Sequence, residues 1–267
     1  MARRAITGYS SNGLPYACIG SGARNLVVFN GLEFQHKPPS AIMLRMSTGY
    51  LRELEDSYKI YIVSRRPGLP PGYSLNNMSD DYAVMIKNEL GGVADVIGVS
   101  TGGAIAQHFA MDHPDLVRRL VLAMTGFRLT EEGKELQMKV ADLALKGKRR
   151  AASALLGTAI IRKGIAKHFF KWFMGMMGPL MIPADASDGI VEIEAEDSHD
   201  LSDRLDRIKV ETLVIGGEED FFYPVRETAR KIPNARLALY PNLGHNAMFA
   251  RSRQFGEEIR AFLLSDK

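Results

Sequence analysis

The sequence has very little cysteine: among its 267 residues, Cys18 is the only one. A single cysteine cannot form an internal disulfide, which excludes the small disulfide-stapled folds typical of secreted proteins. Cys18 lies in a short apolar segment that predicts a strand, so we expect a packed thiol and not a nucleophile. Hydrophobic residues make up 46% of the chain, and a chain of this length can bury a large core without covalent or metal cross-links.

Long hydrophobic runs are also absent. The most apolar stretch, residues 172–182, is interrupted by Gly175, Gly178 and Pro179, and it is shorter than the roughly 20 residues that span a bilayer. The first residues, MARRAITG, contain no apolar signal-peptide core. The net charge is only +3, too small an excess to indicate a nucleic-acid partner. We therefore expect a cytoplasmic protein without nucleic acid or stable membrane insertion.

The order of apolar segments predicts the fold class. Residues 4–9 and 14–20 flank Asn12-Gly13, the strongest short signal for a hairpin turn. After this hairpin, compact apolar runs typical of strands buried on both faces alternate with helical patterns. The runs are 26–29, 58–63, 94–99, 120–124, 212–215 and 236–240, and the helices are 41–54, 80–90, 102–111, 225–232 and 247–264. We predict an α/β fold with one mostly parallel eight-stranded sheet flanked by helices.

Residues 127–206 interrupt the alternation and show only helical patterning, which predicts a helical cap inserted into a core domain of residues 1–126 and 207–267. The charge of this insertion is uneven. Residues 128–171 contain 11 Lys or Arg and 4 Asp or Glu, whereas residues 185–206 contain 9 acidic residues and one Arg. Two interpretations remain open: solvated faces of amphipathic helices, or a basic half that docks on an anionic surface.

Gly98-Val99-Ser100-Thr101-Gly102 matches the pattern G-x-S-x-G. A strand-like run precedes it and a helical pattern follows it, which is the context of a sharp strand-to-helix turn that presents a serine hydroxyl. The helix N-terminus beside such a turn favours negative charge. We therefore identify Ser100 as the candidate nucleophile.

A serine hydroxyl needs a base, and the base needs an orienting acid. Asp220 follows the predicted strand 212–215, and His245 follows the predicted strand 236–240. Both therefore lie past the carboxyl ends of strands, where open α/β sheets place their sites. His245 is the candidate base and Asp220 the candidate acid, with Glu218 and Glu219 as neighbouring alternatives.

Taken together, these motifs resemble those of α/β-hydrolase superfamily serine hydrolases with a helical lid. The matching pieces are the pentapeptide around Ser100, the G-x-x-D-x-x-x-P run at 217–224, Gly244-His245, and the loop Arg65-Arg66-Pro67-Gly68. The resemblance covers almost all residues outside the insertion. It implies the α/β-hydrolase fold, and it favours Asp220 over its two glutamate neighbours.

The resemblance also implies an oxyanion hole made of two backbone N–H groups, from Thr101 and from Leu32. Here Asn30 replaces the histidine that usually begins the His-Gly-x loop of this family, and its amide can still hydrogen-bond the loop. Candidate substrate contacts are Gly31, His36, Trp172 and Met176.

We expect no metal and no cofactor. The acidic group in the second half of the insertion predicts a solvated segment and not a metal site; its members are Glu192, Glu194, Glu196, Asp197 and His199. The apolar residues of 169–181 predict packing against the core domain, or alternatively the roof of an apolar substrate pocket.

These features favour a hydrolase for a small-molecule carboxylic ester with an apolar acyl or alcohol part, acting through an acyl-serine intermediate. Thioester, lactone, peracid and C–C substrates use the same three side chains, and the sequence does not separate them. The alternative from another class is a small-molecule receptor or regulator that keeps the fold and turns over very slowly.

Overall fold

The computed structural model of this protein describes residues 5–265. Within this range the strands are β1 (Ile6–Tyr9), β2 (Pro15–Ile19), β3 (Arg24–Phe29), β4 (Tyr58–Val63), β5 (Ala94–Val99), β6 (Val117–Ala123), β7 (Thr212–Gly217) and β8 (Ala235–Tyr240). They form one sheet in the order β1-β2-β4-β3-β5-β6-β7-β8. Pairing is antiparallel from β1 to β2 and from β2 to β4, and parallel elsewhere. The predicted sheet is confirmed.

The helices cover both faces of this sheet. They are α1 (Ala41–Ser47), α2 (Leu75–Glu89), α3 (Thr101–Asp112), α4 (Glu131–Leu145), α5 (Arg149–Ile160), α6 (Ala166–Met181), α7 (Ser187–Asp197), α8 (Val225–Lys231), α9 (Ala247–Ala250) and α10 (Ser252–Leu263). The first and last residues of the predicted core domain, 1–4 and 266–267, lie outside the described residues, as does the start of the predicted first strand.

Three helix predictions need correction. The predicted helix 41–54 is divided at Thr48, whose hydroxyl donates to the carbonyl of Leu44 at 2.7 Å and so competes with the helical backbone pattern. The predicted helix 247–264 is divided at Arg251, whose φ of −127° is not helical. Helix α2 begins before residue 80, because Ser74 and Asn77 form a capping box at its N-terminus.

The central strands are apolar on both faces, as the continuous runs predicted. In β3, Leu26 and Val28 belong to the apolar cluster that contains Phe255 of α10. Val27 and Phe29 point to the opposite face and join the cluster that contains helices α2, α3 and α8. Two buried layers therefore hold the sheet rigidly, and its carboxyl edge is a fixed platform for the loops that follow the strands.

Four helices, α4 to α7, lie between β6 and β7. The two ends of this insertion meet: the N–H of Leu201 donates to the carbonyl of Phe127 at 2.9 Å, and Arg128 forms a β-bridge with Asp200. Helices α4, α5 and α7 share a third apolar cluster with Phe34 of the core. Among residues 5–265, no helix has both the length and the apolar composition needed to cross a membrane.

A buried pair of histidines joins α3 to the end of the insertion. His108 Nε2 lies 3.2 Å from His199 Nδ1, so one neutral ring donates to the other. Burial lowers the pKa of His108 from 6.5 to about 4. Burial, together with the nearby His108 ring, lowers the pKa of His199 to about 3. The folded protein therefore takes up protons at these rings at lower pH than the unfolded chain does.

This pair predicts a loss of stability in acid. At a pH between about 6.5 and 4, the unfolded state binds more protons, so the free energy of unfolding falls as pH falls through this range. We expect a loss of roughly 2 kcal/mol per histidine between pH 7 and pH 5, measured by urea unfolding. The variant H108L/H199L should lose this part of the pH dependence, and H113Q should retain it. An equal pH dependence in all three proteins contradicts the prediction.

Candidate active site

The loop from β5 to α3 presents Ser100 at the carboxyl edge of the sheet. Its backbone has a φ of 53° and a ψ of −123°, a left-handed conformation that is strained for a residue with a side chain. The N–H of Ser100 donates to the carbonyl of Ala123 at 2.9 Å. Only glycine fits at position 102, because a Cβ there would lie 2.1 Å from the carbonyl oxygen of Phe29. The turn thus holds a partly exposed serine at the N-terminus of α3.

The structure brings Asp220 and His245 to this serine. His245 Nε2 lies 3.1 Å from Ser100 Oγ, and His245 Nδ1 lies 2.9 Å from Asp220 Oδ2. Asp220 Oδ1 also accepts hydrogen bonds from the N–H groups of Phe222 at 2.9 Å and Tyr223 at 3.2 Å. A carboxylate beside Nδ1 keeps the proton there, which leaves Nε2 free to accept the serine proton.

The two glutamates beside Asp220 point elsewhere. Glu218 accepts a hydrogen bond from Arg226 at 2.6 Å, and Glu219 accepts one from Lys163 at 2.5 Å. Both glutamate side chains are more than 40% exposed, whereas that of Asp220 is 1% exposed. Of the three acidic residues, Asp220 is the one that contacts the imidazole.

The backbone of the loop after β3 runs beside the nucleophile. A Cβ built on Gly31 would lie 3.9 Å from Ser100 Oγ. The buried guanidinium of Arg65 donates to the carbonyls of Asn30 and Gly31, each at 2.7 Å. In a trans peptide the N–H points away from the carbonyl of the same unit. Arg65 therefore turns the N–H groups of Gly31 and Leu32 away from itself.

Asn30 is anchored by its side chain as well. Its amide donates to Glu33 Oε1 at 3.3 Å, and Ser64 donates to the other oxygen of the same carboxylate. Burial raises the pKa of Glu33, while the positive charge of Arg65 opposes that rise. Asn30 thus stabilises the loop without the histidine that is usual in the family the sequence resembles.

A family model described as the alpha/beta hydrolase family matches residues 30–258. This range contains the loop after β3, the serine turn and both partners of the serine. The chain belongs to the alpha/beta hydrolase family.

The relatives of this alpha/beta hydrolase agree with the fold. The AB hydrolase superfamily protein YisY of Bacillus subtilis (strain 168) is 27% identical over 260 residues, which cover 91% of this chain and 92% of YisY. A pimeloyl-(acyl-carrier protein) methyl ester esterase of Neisseria meningitidis serogroup B is 28% identical over 191 residues, covering 64% of this chain and 69% of that protein. The solved enol-lactonase of Burkholderia xenovorans LB400 superposes with a TM-score of 0.80 at 21% identity, covering 97% of this chain and 100% of that chain.

Helix α7 of the hydrolase differs from the solvated acidic segment that the sequence predicts. Glu192 and Glu196 are both 0% exposed. They lie one turn apart on the same face of the helix. Glu194 points to the opposite side and is exposed. The prediction of a solvated segment is therefore wrong for Glu192 and Glu196.

Glu192 forms a buried charged cluster with Arg65 and His36. Its Oε1 accepts a hydrogen bond from Arg65 Nε at 2.7 Å, and its two oxygens also contact Arg65 Nη2 and His36 Nε2. His36 Nδ1 lies 3.0 Å from the carbonyl oxygen of Arg66. Burial lowers the pKa of His36, but the hydrogen bond to Glu192, the negative charge of Glu192 and the hydrogen bond to the Arg66 backbone together outweigh it, so the net shift is upward. The His36 side chain is 0% exposed, so it lines no open pocket, contrary to the sequence expectation.

Glu196 contacts the residues around the nucleophile. It accepts hydrogen bonds from Thr101 Oγ1 at 2.9 Å, Gln137 Nε2 at 3.1 Å and Tyr223 Oη at 2.5 Å. Burial raises the pKa of Glu196, and these three donors oppose that rise. Tyr223 Oη also lies 3.4 Å from Ser100 Oγ. The Tyr223 hydroxyl therefore lies between Glu196 and the serine.

Trp172 and Met176 lie away from Ser100, contrary to their expected role as substrate contacts. They are 60% and 51% exposed and line a surface groove between α5 and α6 that includes none of the residues around Ser100. The reason is that α6 rests on α5 through Met174 and Gly178, which turns its opposite face outward. The expected packing of 169–181 against the core domain is wrong for this face.

The sequence placed Arg65 only in a loop that resembles the family, predicted Glu192 and Glu196 to be solvated, and indicated no role for Tyr223. The signals were present but weak: an arginine two residues after a buried strand, and two glutamates four residues apart in a segment that also contains Ile190, Val191 and Ile193. Each of these side chains is paired with residues far away in the chain, which a local pattern does not reveal.

The residues of the acidic group do not converge on a metal site. His199 pairs with His108, while the buried glutamates of α7 are occupied by donors from the protein. Within residues 5–265, no three His, Cys, Asp or Glu side chains are arranged to hold a metal ion.

Proposed function

We propose that this hydrolase is a serine esterase acting through an acyl-serine intermediate, with Ser100 as nucleophile, His245 as general base and Asp220 as orienting acid. The observation that carries this proposal is the continuous hydrogen-bond chain from Asp220 through His245 to Ser100. Ser100 Oγ attacks the ester carbonyl carbon while its proton moves to His245 Nε2. The same proton then passes to the departing alcohol oxygen, and water activated by His245 releases the acid from the serine.

The developing oxyanion would be held by the N–H groups of Leu32 and Thr101. Arg65 supports this role, because it holds the carbonyl of Gly31 and turns the N–H of Leu32 the other way. Thr101 is the first residue of α3, where the helix dipole favours negative charge. Gly31 would contact the substrate through its backbone, since a side chain there would approach Ser100.

An ester with an apolar part fits the surroundings of Ser100. Leu32 and Phe221 are partly exposed apolar residues on the loops that carry the proposed oxyanion donor and Asp220. The Neisseria relative is described as a pimeloyl-(acyl-carrier protein) methyl ester esterase, which supports a carboxylic ester as the bond that is cleaved. The proposed chemistry uses only groups of the protein, without a cofactor.

Residues 127–206 would serve as the lid over the core domain of residues 1–126 and 207–267. In support, α7 contacts both sides of the proposed oxyanion hole: Glu192 binds Arg65, which holds the Gly31 carbonyl, and Glu196 binds Thr101. A substrate that alters the position of α7 would therefore alter the hole itself.

The proposal is tested with p-nitrophenyl esters from acetate to laurate, assayed on the wild-type protein and on S100A. We expect saturable turnover that depends on Ser100, with a preferred chain length that measures the size of the acyl site. In parallel, mass spectrometry should show a single fluorophosphonate adduct on Ser100.

The other possible outcomes contradict different parts of this proposal. A Ser100 adduct without turnover on any ester argues against the esterase proposal and favours either another acyl or C–C substrate or the slowly acting receptor. Turnover that persists in S100A, or the absence of any adduct on the folded protein, contradicts Ser100 as the nucleophile.

A further inference from the structure

Helix α6 exposes a continuous apolar stripe to solvent. Its five members, four in the helix and one directly before it, are spaced by three or four residues and lie on one side. They are Ile165, Phe169, Trp172, Met176 and Leu180, which are 91%, 66%, 60%, 51% and 64% exposed. We call this set the α6 stripe. Large contiguous apolar patches are rare on monomeric proteins and mark surfaces that bind a partner or a membrane.

The opposite face of α6 is already used for packing. Met174 and Gly178 are buried, and Gly178 lies against the backbone of Arg149 and Arg150 in α5. The stripe is therefore not the half-covered side of a core helix. It faces outward because the other side of the helix already supplies the contact that holds α6 to the protein.

The segment around the stripe is basic throughout. Residues 143–184 contain eight Lys or Arg and no Asp or Glu. Two of the eight are paired with carboxylates elsewhere: Lys146 with Asp142 and Lys163 with Glu219. The remaining six form no ion pair within residues 5–265, and they are Lys148, Arg149, Arg150, Arg162, Lys167 and Lys171.

A groove of about 560 Å³ beside the stripe combines both properties. Arg150, His168 and Lys171 supply cationic or polar groups, and Trp172 and Met176 supply apolar surface. An anionic group could contact the charged residues of this groove while a hydrocarbon chain contacts its apolar residues. This is the chemistry of the boundary between phospholipid headgroups and acyl chains.

We infer that the α6 stripe docks on an anionic lipid bilayer, with α6 lying in the plane of the interface and its basic neighbours on the headgroups. A second copy of the chain fits the same surface poorly, because a symmetric pair of stripes would bring two sets of six unpaired cations together. The inference depends only on this surface and not on the proposed esterase chemistry.

The chain contains its own probe, since Trp172 is its only tryptophan and lies in the stripe. We expect the Trp172 emission to shift to the blue, and the protein to cosediment, with vesicles of phosphatidylcholine mixed with phosphatidylglycerol. Vesicles of phosphatidylcholine alone should bind at least about tenfold more weakly, and added salt should weaken binding to the anionic vesicles.

Two double variants separate the apolar and charged contributions. F169E/L180E should abolish binding. K167Q/K171Q should weaken binding to anionic vesicles about thirtyfold, because each basic residue near such a surface contributes roughly fivefold. The matched controls V84E and K87Q change exposed residues of α2 and should bind like the wild type.

Turnover of a soluble short-chain ester should be unchanged in F169E/L180E, so a failure of docking is distinguishable from a failure of the proposed function. The inference is overturned by equal binding to neutral and anionic vesicles, or by no binding at all. It is also overturned if Trp172 emission shifts with protein concentration in the absence of lipid, which would indicate association between copies of the chain.

Discussion

S100A and H245A are each expected to lower kcat on the preferred ester by a factor on the order of 10⁶. Removing Ser100 eliminates the atom that would form the acyl intermediate. Removing His245 leaves the serine hydroxyl, whose oxygen lies 3.1 Å from the imidazole, without a base. The residual rate should come from substrate binding and from the proposed oxyanion donors. Steady-state kinetics measure the effect, with circular dichroism to show that each variant is folded.

Replacement of Asp220 should lower kcat less than replacement of Ser100 or His245. D220N keeps the shape of the side chain but no longer stabilises the charged imidazole, and it should lower kcat by about 10⁴. E219Q should leave kcat unchanged, because Glu219 pairs with Lys163 and not with His245. S47A and H113Q serve as controls for serine and histidine replacements far from the site. If folded S100A or H245A retains more than about one hundredth of the wild-type kcat, the proposed assignment of Ser100 and His245 is wrong.

R65M is expected to lower the free energy of unfolding by about 3–5 kcal/mol. The Arg65 and Glu192 side chains are 1% and 0% exposed and contact each other, so removal of the guanidinium leaves a buried carboxylate with only His36 as a charged partner. Urea unfolding measures the loss. R66M is the matched control, because the Arg66 side chain is 39% exposed, and it should change stability by less than about 1 kcal/mol.

The double variant R65M/E192M separates charge pairing from the role of Arg65 in the loop. Removing both charges should recover most of the lost stability, because no unpaired charge remains buried. Activity should not recover with it, since the carbonyls of Asn30 and Gly31 still lack their donors. We expect kcat to remain lower by about 10²-fold. A double variant no more stable than R65M would show that the cluster contributes through something other than pairing.

The sheet was predictable because its signals are local. The Asn12-Gly13 turn connects β1 and β2, and the apolar runs 58–63 and 94–99 coincide with β4 and β5. A strand buried on both faces must be apolar at nearly every position, so its sequence identifies it without reference to neighbours. The divided helices were not predictable in this way, because Thr48 and Arg251 interrupt the backbone within patterns that remain apolar at helical spacing.

The order of Ser100, Asp220 and His245 along the chain was likewise readable, since each follows a recognisable strand. That Asp220 and not Glu218 or Glu219 contacts the imidazole is a fact of tertiary structure, because the direction of each side chain depends on the turn after β7. The sequence could offer only a resemblance as a reason to prefer Asp220.

By itself, then, the sequence determined where the strands lie along the chain, the sharp turn at Ser100 and the chain positions of its two partners, because each depends on a few adjacent residues. Only the tertiary structure decided which side chains of the insertion are buried against the core and which face solvent. Glu192 and Glu196 are charged, yet both are buried, while Trp172 is apolar and exposed. Hydrophobic periodicity identifies the apolar face of a helix but not the surface it will meet. Which charges are buried is set by partners such as Arg65, 127 positions away along the chain.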